Sequence, residues 1–133
     1  MHASLRKLVE DRAGRRCEYY RLSHHFQPLS PFHVEHIIAR QHGGTDSPEN
    51  LALASHRCNL HKGPNLTGLD PETGALTRLY HPRQDHWTKH FELHVALIIG
   101  LTAIGRTTAA LCRMNTPDRI ELRRDLLATG WWE

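Results

Sequence analysis

His33-Val-Glu-His-Ile-Ile-Ala-Arg-Gln-His-Gly-Gly-Thr45 is followed by Glu49-Asn50-Leu51 and then by Cys58-Asn59-Leu60-His61-Lys62-Gly63. An acid–base pair, Glu35-His36, stands beside a Gly-Gly turn, with one Asn 14 positions and a second 23 positions after His36. Phe32 to Ala39 alternates as a strand, with Phe32, Val34 and His36 on one side and His33, Glu35 and Ile37 on the other. Gly43-Gly44 with Asp46, Ser47 and Pro48 makes a long turn. Asn50 to Ala54 reads as a second short strand, antiparallel to the first. Ser55 then caps a short helix over His56 to Lys62, ended by Gly63-Pro64.

Those residue types suit phosphodiester hydrolysis. A water must lose a proton as it attacks phosphorus, charge on the phosphate must be stabilised, and the leaving oxygen must be neutralised. One imidazole and one hard divalent cation supply all three. His36 is the candidate general base, because imidazole titrates near neutral pH. Glu35 and the amide oxygen of Asn59 are candidate ligands for Mg²⁺ or Mn²⁺, an ion held by few protein oxygens plus waters and substrate. Asn50, where the turn re-enters the second strand, has a positioning role: it ties the turn's backbone or orients the His36 ring. A lone strand His is more often packing, and a lone Asn after a turn is more often turn chemistry. Their combination in one strand–turn–strand–helix frame carries the reading.

The same residues resemble the HNH family of endonucleases, in the version with Asn in the last motif place. The resemblance implies a ββα-metal core, with His36 as general base, Asn50 shaping the turn, Asn59 on the metal, and Glu35 standing where Asp is more familiar. It also implies DNA as substrate and 5′-phosphate and 3′-hydroxyl products. The motif covers Cys17 to Gly63, and the later stretches Gly68-Leu-Asp-Pro-Glu-Thr-Gly74 and His81-Pro-Arg83 are similar to those of small stand-alone bacterial HNH proteins. Many members carry two Cys-x-x-Cys knuckles around a structural Zn²⁺. Here those places read Cys17-Glu-Tyr-Tyr20 and Ser55-His-Arg-Cys58, each with one Cys lost. Two thiolates do not complete a tetrahedral site. Structural zinc is therefore not expected; Cys17 and Cys58 should lie together as a structural pair, with Tyr20 packing in place of the metal.

Arg40 and Lys62, the basic residues nearest the motif, are expected on the phosphate backbone, where contacts give affinity without sequence choice. His33 is a candidate partner for Glu35, His42 sits beside the turn, and His61 is expected in solvent. The chain has 17 Lys and Arg against 14 Asp and Glu, a net charge of +3. This is compatible with a polyanion partner without requiring one. Three Cys exclude a secreted disulfide framework, no run reaches the length of a membrane span, and no signal-peptide pattern opens the chain. The expected compartment is the cytoplasm.

The remaining chain extends this core. Ser4 to Arg16 reads as a helix with Leu5, Leu8, Val9 and Ala13 inward. Residues 69–76 read as a β-turn between short strands, Phe91 to Ile99 as a strand or hairpin, and Thr102 to Met114 as a helix containing Cys112 as a small core residue. Thr116-Pro117-Asp118 opens a last helix that ends at Gly130, with Ile120, Leu122, Leu126 and Leu127 buried. The expected fold is a single α+β domain over 1–133: a ββα-metal core at 17–63 and an extension at 64–133, with an N-terminal helix, an additional β-hairpin region and C-terminal helices. The expected function is a metal-dependent DNA endonuclease. The alternatives are a nucleic-acid-binding module that keeps the fold without cutting, and a His-rich metal-binding structural protein. Cutting both strands from one site per chain favours a dimer.

Overall fold

The computed structural model describes residues 2–130 and 132. They form two compact units: residues up to Leu66 together with His81–Asp85, and Thr67–Tyr80 together with residues from His86 onward.

In the first unit, helix α1 (Ala3–Arg12) precedes a long irregular segment, strand β1 (Phe32–His36), strand β2 (Leu51–Ser55) and helix α2 (His56–Lys62). The strands pair antiparallel with Glu35 opposite Ala52 and His36 opposite Leu51. All five residues of β2 are buried, as expected of an apolar run covered on both faces. Its second edge is covered too. Glu18 N–H donates to Leu53 O, and Glu18 Oε2 accepts from Leu53 N at 2.8 Å. Unpaired strand edges invite association, and here a loop residue closes one. Val9, Tyr19, Tyr20, Leu22, Phe32 and Cys58 complete this core.

Helix α1 is shorter than expected and buries Val9 alone. Its arginines hold backbone carbonyls: Arg6 donates to Phe32 O, and Arg12 to Pro48 O and Leu51 O. Ser55 caps α2 as expected, accepting from Cys58 N. Between the strands the chain makes short 3-10 turns at Arg40–His42 and Pro48–Asn50, which simple alternation does not reveal.

The second unit holds a hairpin of β3 (Thr67–Leu69) and β4 (Leu76–Arg78), the short helix α3 (Trp87–His90), a hairpin of β5 (Phe91–His94) and β6 (Leu97–Gly100), and helices α4 (Ala103–Leu111) and α5 (Pro117–Thr129). The buried carboxylate of Asp70 organises the β3–β4 turn. It accepts from Glu72 N and Thr73 Oγ1 and from two nitrogens of Arg106 on α4. Cys112 is buried, as expected. Helix α5 departs from its apolar reading: Arg119, Arg123 and Leu126 are its buried residues. Arg123 donates to Ala96 O and Met114 O, so the long side chain satisfies loop carbonyls that an aliphatic residue would leave unpaired.

The architecture is a small mixed α/β one, built from short β-hairpins and helices. Among the described residues, no helix is long and apolar enough to cross a membrane.

Candidate active site

Glu35, His36, Arg40 and Asn59 line one pocket of 280 Å³ in the first unit, with Val34, Ala39, Gly63 and Pro64. The end of β1 brings Glu35 and His36, the first turn after it Arg40, and the middle of α2 Asn59. Residues spread along the chain therefore meet because β2 returns antiparallel to β1 and α2 starts where β2 stops.

The turn that joins the strands is set by Asn50. Its Oδ1 accepts from Ile38 N at 2.8 Å, and its Nδ2 donates to Ile38 O at 3.0 Å and Thr45 O at 2.8 Å. Of the two roles expected for Asn50, the amide performs the backbone one; no hydrogen bond to His36 is recorded. Gly44 lies so close to this strand end that an added Cβ would stand 1.6 Å from Ile38 O. Gly43 takes a left-handed backbone, φ 89°, which suits glycine. The Gly-Gly pair thus answers two separate demands.

Asn50 also places a residue that motif reading passed over. Asp46 follows Thr45, and its Oδ1 lies 2.7 Å from His36 Nε2. A carboxylate only accepts, so Nε2 donates; in the neutral ring this leaves Nδ1 with its lone pair. Arg40 Nη2 donates to both Asp46 oxygens, at 2.9 and 3.2 Å, and Arg40 Nε stands 3.4 Å from His36 Nε2. The hydrogen bond from His36, and then the Arg40 charge, hold the Asp46 carboxyl below the usual carboxylate range. An acid in a Gly-Gly turn ten residues after the His was the available sequence signal.

Glu35 has a different environment. Its carboxylate is buried; Oε1 accepts from the Tyr19 hydroxyl, and Lys62 Nζ stands 3.4 Å from Oε2. Burial raises the Glu35 carboxyl, against the opposing pull of Lys62 and Tyr19. Lys62 corrects the expectation of a phosphate contact. Its ammonium is buried and donates to Ile37 O at 3.1 Å, because the last turn of α2 aims it under β1. Arg40 remains exposed. His33 does not meet Glu35: its Nε2 is 3.0 Å from His56 Nδ1. His42 is exposed and His61 is half-buried.

Among the described residues, no group of three or more His, Cys, Asp or Glu side chains is placed to hold a metal. The pocket lining includes Glu35 and Asn59, whose carboxylate and amide oxygens are chemically suited to a hard divalent ion, beside the His36 imidazole. The knuckle places hold the Cys17 and Cys58 thiols in contact, both buried and neither in a disulfide. Burial, and then Cys58, push the Cys17 thiol well up, while Ser55 and Tyr20 backbone groups oppose this. Tyr20 is buried, and its hydroxyl donates to Gln27.

A strand–turn–strand–helix frame carries the acid–imidazole pair and the helical Asn of this pocket. Residues 15–65 match the family model described as HNH endonuclease. No curated protein matches the chain. No solved structure matches it either.

Proposed function

We propose that the chain is a metal-dependent endonuclease that hydrolyses DNA phosphodiester bonds through a ββα-metal core. One observation carries the reading: Glu35, His36 and Asn59 share a single pocket. His36 takes the proton from the attacking water at Nδ1, the nitrogen left free by Asp46. The water oxygen forms the new bond to phosphorus, the bond from phosphorus to the 3′ oxygen breaks, and a second water protonates the departing oxygen. Asn59 and Glu35 are the protein ligands for Mg²⁺ or Mn²⁺. When bound, such an ion stabilises charge on the phosphate and on the leaving oxygen. Asn50 holds the turn that carries Asp46, and so acts on His36 from a distance. Arg40 meets phosphate from the exposed rim. The first unit holds ten Lys and Arg against seven Asp and Glu, so the chain's positive balance lies in the unit with the pocket.

A second reading has its own support. Tyr19 and Lys62 already occupy the Glu35 carboxylate, which suits a module that binds nucleic acid and does not cut. Supercoiled plasmid incubated with Mg²⁺ or Mn²⁺ separates the two. Nicking by wild type and none by His36→Ala supports the nuclease. A gel shift by both proteins with no nicking by either supports the binding module.

A further inference from the structure

Lys62 is 2% exposed and its partner Glu35 3% exposed. Lysine is almost never fully buried without a partner, and the end of a surface helix ordinarily leaves its ammonium in water. Two acceptors hold it inside: the carbonyl of Ile37 and the carboxylate of Glu35. Tyr19 gives that carboxylate its other donor, which is neutral. Lys62 is therefore the positive partner recorded within salt-bridge distance of Glu35. A buried carboxylate stripped of its counter-charge is strongly destabilising.

The same carboxylate belongs to the donor set proposed for a hard divalent cation, together with Asn59, beside His36 in the pocket. Two positive groups then compete for one carboxylate in a water-poor setting, where like-charge repulsion is weakly screened.

We infer that Lys62 is the resident counter-ion of the pocket: its ammonium neutralises Glu35 until a divalent cation binds, and is then displaced from Oε2. Loading is a cation exchange on one carboxylate, and no bond to carbon or phosphorus changes. The displaced ammonium keeps the Ile37 carbonyl as an acceptor. The exchange keeps the unit folded without metal and lowers its apparent affinity for Mg²⁺ or Mn²⁺. This rests on the reading of the pocket as a divalent-cation site, and it can fail while that reading stands.

The test uses the full chain and Mn²⁺ alone. Calorimetric titration compares wild type with Lys62→Met and Lys62→Arg, and thermal melts are recorded in chelator and in saturating Mn²⁺. Lys62→Met should melt below wild type in chelator, bind Mn²⁺ about ten-fold more tightly, the scale on which neighbours of metal ligands act, and gain more melting temperature from the ion. Lys62→Arg, which keeps the charge, should bind near wild type. The wild-type chain supplies an independent readout should Lys62→Met not fold. Mn²⁺ should speed modification of Lys62 by an amine-reactive reagent, read by mass spectrometry. Equal or weaker Mn²⁺ binding by Lys62→Met overturns the inference and leaves the metal site standing, as does an unchanged labelling rate. A wild-type chain that takes up no Mn²⁺ overturns both.

Discussion

Asp46 Oδ1 and His36 Nε2 lie 2.7 Å apart across the turn between the two strands. In the neutral ring this contact places the proton on Nε2. It also ties the His36 ring to the turn, because Asp46 is held in place only while the Gly-Gly loop keeps its path.

Asp46→Ala should lower single-turnover nicking by about 10- to 100-fold, as loss of a partner that orients an active group does. DNA affinity should change little. Asp46→Asn keeps a hydrogen-bond acceptor for Nε2 and should recover part of the rate. His36→Ala should cost about 100- to 10,000-fold, the range for a general base. Equal rates for Asp46→Ala and wild type would remove Asp46 from the mechanism.

Asn50→Ala removes three backbone hydrogen bonds from one turn. The unit should lose about 1–3 kcal/mol, the usual penalty for leaving such groups unpaired. Gly44→Ala should cost at least as much, roughly 3 kcal/mol, because its methyl would collide with the Ile38 carbonyl. Urea denaturation measures both. A Gly44→Ala chain as stable as wild type means the loop follows another path.

The Asp70–Arg106 pair gives the second unit a defined response to acid. The Arg106 side chain, then the Glu72 N–H and Thr73, hold the Asp70 carboxyl far below its usual value. A depressed folded value means the stabilisation is fully present above the unfolded value, about pH 4, and is lost as pH falls through the folded one. The gap in melting temperature between wild type and Asp70→Asn should therefore be constant at neutral pH and shrink progressively below about pH 4. A gap that widens in acid contradicts the assignment.

Chain purified without chelator should hold well under one zinc per molecule, measured by elemental analysis. Two buried thiols with Ser55 and Tyr20 in the other knuckle places leave a tetrahedral site two ligands short. Tyr20→Cys combined with Ser55→Cys supplies the missing thiolates, and this double variant should bind zinc stoichiometrically. Stoichiometric zinc in the wild type overturns the prediction.

The strand–turn–strand–helix frame is legible in the sequence because its signals are local. Alternation marks β1, glycines mark the turn, and Ser55 and Gly63 bracket α2, which spans the expected residues. The shared pocket of residues 35, 36 and 59 follows from that frame. Less was legible where the signal is a long side chain's destination. Lys62 reads as a phosphate contact and is buried; the last helix reads as burying Ile120, Leu122, Leu126 and Leu127, and its buried residues are Arg119, Arg123 and Leu126.

Periodicity and turn chemistry act between neighbours a few positions apart, and they were enough to order the elements and to put an acid, an imidazole and an amide within reach of one another. Which charge neutralises Glu35, and which acid holds His36, depend on how the turn threads and how α2 packs beneath β1. Those partners are distant along the chain. Burial and hydrogen-bond geometry select them, and neither exists until the chain has folded.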